Sequence, residues 1–209
     1  RQHDRADRII GVQLPDDRIT TSLRTLVGSC SAGNLQSAAT AIMTTDTAVK
    51  VVEQTVRNGG RTCRVVGIAK GAGMIHPNMA TMIAVLMTDA LMEPQPLSQM
   101  LRKAVDKSFH RITVDGDTST NDSVFALASG AAGAFPNDAL QSAFESVSRE
   151  LAKKILRDAE GATKLVHVKV NGAATQADAL QVAQTIASSL LVRTSIAGGD
   201  PNWGRILAA

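Results

Sequence analysis

The sequence predicts a layered α/β or α+β fold, and three observations carry that prediction. Two strand-like runs, 49–56 and 62–69, flank Asn58-Gly59-Gly60; Asn-Gly between such runs is the strongest short hairpin signal. Residues 138–157 place Leu140, Phe144, Val147, Leu151 and Ile155 on one side at helical spacing. Elsewhere helical and strand patterns alternate irregularly, as packed layers do and one regular parallel wind does not.

The elements follow in order. Residues 1–8 are charged and read as an exposed lead-in, and a short apolar stretch over 9–14 ends at Pro15. Asp16 or Asp17 can cap a helix whose Ile19, Leu23, Leu26 and Val27 share a face, broken by residues 29–33. A second helix carries Leu35, Ala38, Ala39 and Ile42, and delivers the polar cluster 43–47. The hairpin follows, its second strand leading into Lys70. Residues 82–87 are apolar and partly β-branched, which suits a buried strand. An amphipathic helix is expected over 96–109, through Leu97, Met100, Leu101, Ala104, Val105 and Phe109. Ile112 and Val114 alternate as a short strand into the acidic loop 115–122. Residues 123–129 read as a strand and 130–136 as a connector. After the helix over 138–157 come a strand at 165–170, closed by Asn171-Gly172, and a helix at 177–190. A short strand at 192–196 and a last helix opened by Pro201 complete the chain. No internal repeat or low-complexity tract interrupts it.

Composition narrows the function classes. The 209 residues suit one or two domains, and 44% hydrophobic content suffices for a sizeable core. Aromatics are only 2%, with no Tyr and one Trp, which argues against a base-stacking nucleic-acid platform. The net charge of +3 is spread along the chain and supports neither nucleic-acid nor membrane binding. No apolar run approaches the roughly 20 residues that span a bilayer, and no signal-peptide pattern is present. Cys30 and Cys63 stand alone and read as two reduced thiols.

Chemistry concentrates at Lys70-Gly-Ala-Gly-Met-Ile-His-Pro-Asn-Met-Ala-Thr81, a glycine-bearing loop that meets a threonine at the start of the apolar run. Read plainly, Thr81 is a β-former opening a strand. Asn78-Met79-Ala80-Thr81-Met82, however, resembles the self-cleavage segment of the ornithine acetyltransferase family, also called glutamate N-acetyltransferase, of arginine biosynthesis. Four further stretches resemble the same family in order: 41–47, 115–122, 160–164 and 199–206.

That resemblance implies a layered αββα sandwich of the self-processing N-terminal-threonine (Ntn-like) type. Residues 1–80 would belong to an α-chain region and 81–209 to a β-chain region, together forming one layered domain. It implies cleavage between Ala80 and Thr81, with Thr81 the catalytic nucleophile. Thr44, Lys70, Thr81 and Glu160 would bind substrate, Lys70 through the α-carboxylate and Glu160 through the terminal amine. Acetyl would pass from N2-acetyl-L-ornithine to L-glutamate through an acetyl-threonine, with no cofactor and no metal. Acetyl-CoA is left open as an alternative donor. The implied assembly is an α/β heterotetramer or larger, cytoplasmic, or in the mitochondrial matrix of a fungus or similar eukaryote. Family members are longer, so the chain is expected to be an internal portion of a longer protein.

Physical chemistry makes the nucleophile plausible. An aliphatic hydroxyl needs a base to act at neutral pH. A threonine made N-terminal by cleavage carries one, since an α-amine titrates at about 7.7–8.0 and serves as base in a known variant of the serine–histidine pair. No Ser-His-Asp set can be assembled from His3, His76, His110 and His167. His76 is the one near Thr81, and His167 reads as a wall residue within a strand.

Other readings stay open. An N-terminal-threonine amidase or aminopeptidase would use the same nucleophile. Asp115-x-Asp117 is similar to the aspartate-nucleophile phosphohydrolases, which are metal-dependent, although Ser119 departs from their pattern. Read as a calcium loop, 115–122 has Thr120 where an EF-hand needs glycine. As a third choice, Asp122 and Asn121 fit a hydrogen-bonded wall. Without the resemblance Lys70 reads as an exposed lysine, Thr44 as a turn hydroxyl and Glu160 as a solvated carboxylate. The resemblance also breaks in one place. The family's oxyanion pair, Thr-Gly, precedes Val-Ile-Gly; here Asp7-Arg8 precede Ile9-Ile10-Gly11. The oxyanion donors are therefore unknown, leaving a variant hole, an impaired or non-catalytic relative, or an altered segment.

Overall fold

The computed structural model describes residue 13 and residues 15–76 and 82–209. The stretch 9–14, apart from residue 13, lies outside them, as do Asp7-Arg8 and residues 77–81.

The hairpin forms as its turn chemistry dictates. Strand β1 (Lys50–Asn58) pairs antiparallel with β2 (Arg61–Lys70), with Asn58 opposite Arg61. The loop is thus Gly59-Gly60, at φ 55° and 80°, and a two-residue turn with both φ positive matches the twist of the strands it joins. β3 (Ile83–Ala90) pairs antiparallel with β2, and β4 (Ser123–Gly133) runs parallel to β3, giving the sheet order β1-β2-β3-β4. A parallel neighbour needs a crossover. Helix α3 (Pro94–Asp106) and a 3-10 turn at Phe109–Arg111 supply it.

The main helix, α4 (Asn137–Arg157), packs across β1 and β2, with α3 beside it. Its predicted stripe, Leu140, Phe144, Val147, Leu151 and Ile155, is wholly buried against Val65, Ala84 and Leu86. Each such side chain contributes about 1.5–3 kcal/mol by leaving water. Contact is closest at Gly67, where an added Cβ would lie 2.6 Å from Val147 Cγ1 and 2.7 Å from Leu151 Cδ1. Gly67→Ala is therefore expected to destabilise the fold by about 1–3 kcal/mol through overpacking, measured by urea unfolding.

The opposite sheet face is apolar, and among the described residues it is open toward β4 while Ile68 on β2 is buried. Register aligns Val66, Met87 and Leu127 in one row and Ile68, Val85 and Phe125 in the next. Phe125 and Leu127 are 52% and 58% exposed. The described residues thus supply one helical layer on one β-layer, within the predicted α/β class. This partly open face is the one a second sheet would meet in an αββα order.

Helix α1 (Asp16–Gly28) forms where predicted, but Ile19, Leu23, Leu26 and Val27 are all exposed. Helix α2 (Leu35–Ala41) packs on β1 and β2. Helices α5 (Gln176–Ser188), α6 (Leu190–Gly198) and α7 (Trp203–Ala208) follow.

Three strand expectations fail. Residues 192–196 lie in α6: Ser189 accepts the Val192 N–H as N-cap, and Gly199 ends the helix at φ 71°. Those termini override the β-branched composition. Residues 165–170 are not in the sheet, and Leu165, Val166 and His167 are exposed, so His167 is no wall residue within a strand. Ile112 and Val114 lie in a loop, where the Val114 N–H reaches the Ile75 carbonyl at 2.8 Å. The connector expected at 130–136 begins later, because β4 continues through Gly133 past an irregularity where Ala90 pairs Gly133. Among the described residues no helix is long and apolar enough to cross a membrane.

Candidate active site

One end of the sheet gathers the quoted motifs. Lys70 closes β2 opposite Ile83, the first residue of β3, and Ile83 in turn faces Ser123, the first residue of β4. The 71–76 loop leaves this end, and the C-terminus of α4 arrives there.

Beneath the loop lies a charge cluster that the sequence reading did not find. Lys50, 1% exposed at the start of β1, binds Asp46 at 2.6 Å and Asp158 at 2.5 Å, and both carboxylates are almost wholly buried. Asp158 caps α4 at its C-terminus, where a cation such as Lys50 is also favoured by the helix dipole. Asp46 spends its remaining capacity on the Gly71 N–H at 2.7 Å and the Thr44 N–H at 3.2 Å. Asp158 accepts from the Thr47 N–H and hydroxyl and the Ala48 N–H. Burial raises the pKa of both carboxyls. For Asp46 the Lys50 ammonium and the N–H groups of Gly71 and Thr44 outweigh burial, and for Asp158 Lys50, Thr47 and Ala48 do the same. Both therefore sit below the ordinary carboxylate range.

This cluster joins the segments of three predicted substrate residues. Thr44 is half-buried on the segment held by Asp46. Lys70 is buried rather than exposed, and precedes the Gly71 N–H that Asp46 holds. Glu160 follows Asp158 by two residues. Its N–H binds the Ala72 carbonyl at 2.7 Å, and its carboxylate lies so close to Gly73 that an added Cβ there would sit 3.1 Å from it. Thr44, Lys70 and Glu160 are thus brought around one loop. The Lys70 side chain makes no salt bridge or hydrogen bond among the described residues, and Asp122 is an acid whose charge it influences.

A second pair of acids brackets the 77–81 segment. Asp115 accepts the N–H groups of Met74 and Ile75, at 2.5 and 3.0 Å, and of Asp117 at 3.1 Å. Its grip holds Met74 at φ 57°, a left-handed conformation that costs an ordinary residue about 1–2 kcal/mol. On the far side Asp122 accepts the Met82 N–H at 2.8 Å. Of the two residues expected in a hydrogen-bonded wall, Asp122 makes such a contact, whereas Asn121 is exposed and bonds Ser119 and Thr120 within its own loop. Both Asp115 oxygens are occupied by backbone donors, which leaves them poorly placed as a phosphohydrolase nucleophile. Arg193 braces the same loop from α6, donating to the Val114 carbonyl and, at 2.9 Å, to the Thr113 hydroxyl. Sequence offered no signal for Arg193. His76 is half-buried, and its Nδ1 is buried without a partner among the described residues. Ala80 and Thr81 themselves lie outside the described residues.

Comparison with known proteins follows the same lines. The ArgJ family model matches residues 8–209. The arginine biosynthesis bifunctional protein ArgJ of Thermosynechococcus vestitus is 50% identical over 208 residues, covering 96% of this chain and 50% of its own. That of Thermus thermophilus is 49% identical over 201 residues, with 96% and 51% covered. The chain thus spans about half the length of these curated relatives. The crystal structure of ArgJ from Bacillus halodurans superposes with a TM-score of 0.57 at 44% identity, covering 59% of this chain and 62% of its own.

Proposed function

The chain belongs to the ArgJ family, and on that premise we propose that it forms part of an acetyltransferase moving acetyl from N2-acetyl-L-ornithine to L-glutamate. Thr81 is the nucleophile, freed by self-cleavage after Ala80. Its hydroxyl oxygen attacks the acetyl carbonyl while the Thr81 α-amine takes the hydroxyl proton. The ornithine amine leaves with a proton, an acetyl-threonine ester remains, and the glutamate amine then attacks that ester to give N-acetylglutamate. Residues 1–80 and 81–209 would then be portions of an α and a β chain, assembled as a heterotetramer or larger in the cytoplasm.

The observation that carries this reading is the convergence of Thr44, Lys70 and Glu160 on the loop leading to Thr81. Lys70 is a buried cation without an ion pair among the described residues, suited to a substrate α-carboxylate. Glu160 supplies a carboxylate against Gly73 of the same loop, suited to a terminal amine. Mass spectrometry of the purified full chain tests the reading. Two fragments meeting at 80/81 are expected, with one added acetyl on the fragment starting at Thr81 after N-acetylornithine and its loss after glutamate. An intact, unacetylated chain would sink it, and acetate release without glutamate would make the protein a hydrolase.

Gly73 gives a second check. In Gly73→Ala the new methyl group would displace the Glu160 carboxylate. KM for N-acetylornithine is expected to rise about tenfold or more with kcat little changed, the loss of a charge-assisted hydrogen bond worth about 1.5 kcal/mol or more. Steady-state kinetics reads this directly.

A further inference from the structure

Lys50 is among the largest fully buried side chains of the described residues, and the proposed transfer gives it no step. Its ammonium carries three donors, and all three are in use: on Asp46 at 2.6 Å, on Asp158 at 2.5 Å and on the Ala48 carbonyl at 3.3 Å. A buried ion pair adds little stability over apolar packing, although breaking one is costly. What it does impose is a fixed geometry on the segments it joins.

Those segments are two arms of the candidate site. On the first, Asp46 holds the Thr44 N–H and the Gly71 N–H, the latter one peptide beyond Lys70. On the second, Asp158 stands two residues before Glu160. Its carboxylate reaches across to the first arm, accepting from Lys50, from the Thr47 N–H and hydroxyl and from the Ala48 N–H. The second arm also meets the substrate loop directly, where the Glu160 N–H binds the Ala72 carbonyl at 2.7 Å. One such bond is a hinge. The Asp158 carboxylate is a second tie on different atoms, and two ties fix a separation.

We propose that Lys50 and Asp158 are positioning residues that set the span between the carboxylate-binding and amine-binding ends of the site, and so select the acetyl donor by chain length. The chosen class is an N2-acetylated diamino acid of ornithine's length, over homologues one methylene longer or shorter. The inference rests on the proposed acetyl transfer and on the roles given there to Lys70 and Glu160. Hydrogen bonds lose their geometry beyond about 3.2 Å. A rigid span therefore satisfies both ends of one donor length, whereas a loose span adapts to several.

Asp158→Asn tests this in the full chain. It removes one of two carboxylates around one ammonium, so the remaining Lys50–Asp46 pair is balanced in charge and the variant is expected to fold. The measured quantity is kcat/KM for N2-acetyl-L-ornithine, N2-acetyl-L-lysine and N2-acetyl-L-diaminobutyrate. The wild type is expected to prefer the first by about a hundredfold, and the variant to lose about tenfold or more of that preference. A merely structural role would lower all three values by one factor and leave their ratios unmoved. Unchanged ratios in a folded variant overturn the inference while leaving acetyl transfer intact, and so does a wild type that takes the three donors equally. A wild type inactive with N2-acetyl-L-ornithine overturns both the inference and the reading beneath it. If Asp158→Asn does not fold, Thr47→Val decides. That position is exposed, and the substitution removes the hydroxyl from Asp158 while leaving the ion pairs. The preference is then expected to fall about threefold, and an unchanged preference overturns the inference.

Discussion

Thr81→Ala is expected to yield an uncut chain with acetyl transfer reduced by about ten-thousand-fold or more, as removal of a covalent nucleophile does elsewhere. The substitution takes away the oxygen that would attack the Ala80 carbonyl and the acetyl group alike, so maturation and turnover should fail together. Thr81→Ser keeps a hydroxyl and separates chemistry from packing, since it should still cut and still carry acetyl. Denaturing electrophoresis reads the first effect and a coupled assay the second. Normal cutting in Thr81→Ala would remove the basis of the proposed function.

The second large effect concerns stability. In Lys50→Met, Asp46 and Asp158 keep their burial but lose the ammonium that binds both. Leaving a buried charge uncompensated costs about 3–5 kcal/mol, to be measured by urea unfolding at neutral pH. The pH dependence should also change sign. In the wild type both carboxyls are depressed in the folded state. They contribute stability above the unfolded carboxylate value, about 3.9, and that contribution is lost as pH falls through their folded values. Without Lys50, burial dominates and raises them. The variant should therefore gain stability on acidification between about pH 6 and 4, where the wild type does not. A flat difference between the two proteins across that window would show that Lys50 does not neutralise the pair.

How much of this was readable beforehand depends on range along the chain. The hairpin was readable because Asn58-Gly59-Gly60 encodes its turn locally, and α4 because five apolar residues repeat at helical spacing. The segment 192–196 was misread because Val, Thr and Ile favour strands, whereas the cap at Ser189 and the stop at Gly199 decide its state. The segment 165–170 alternates like a strand but finds no partner strand among the described residues. At the site, motifs pointed to Thr44, Lys70 and Glu160 as residues, but not to what brings them together. Lys50 and Asp158 are 108 positions apart, and no local pattern announces such a pair. Asp122 drew notice as part of an acidic run, yet its grip on Met82 follows from β3 and β4 being parallel neighbours, which only the three-dimensional arrangement reveals.

The ladder between β2 and β3 joins residues on opposite sides of position 80/81. A protein opened there is nicked, not divided: the pieces share a sheet and interior, and neither can leave without exposing both. Unfolding then coincides with dissociation, so the melting temperature acquires a dependence on protein concentration that an uncut polypeptide lacks. Refolding of a chain cut there would likewise become second order, so scission, if it follows folding as proposed, would trade easy renaturation for a new terminus.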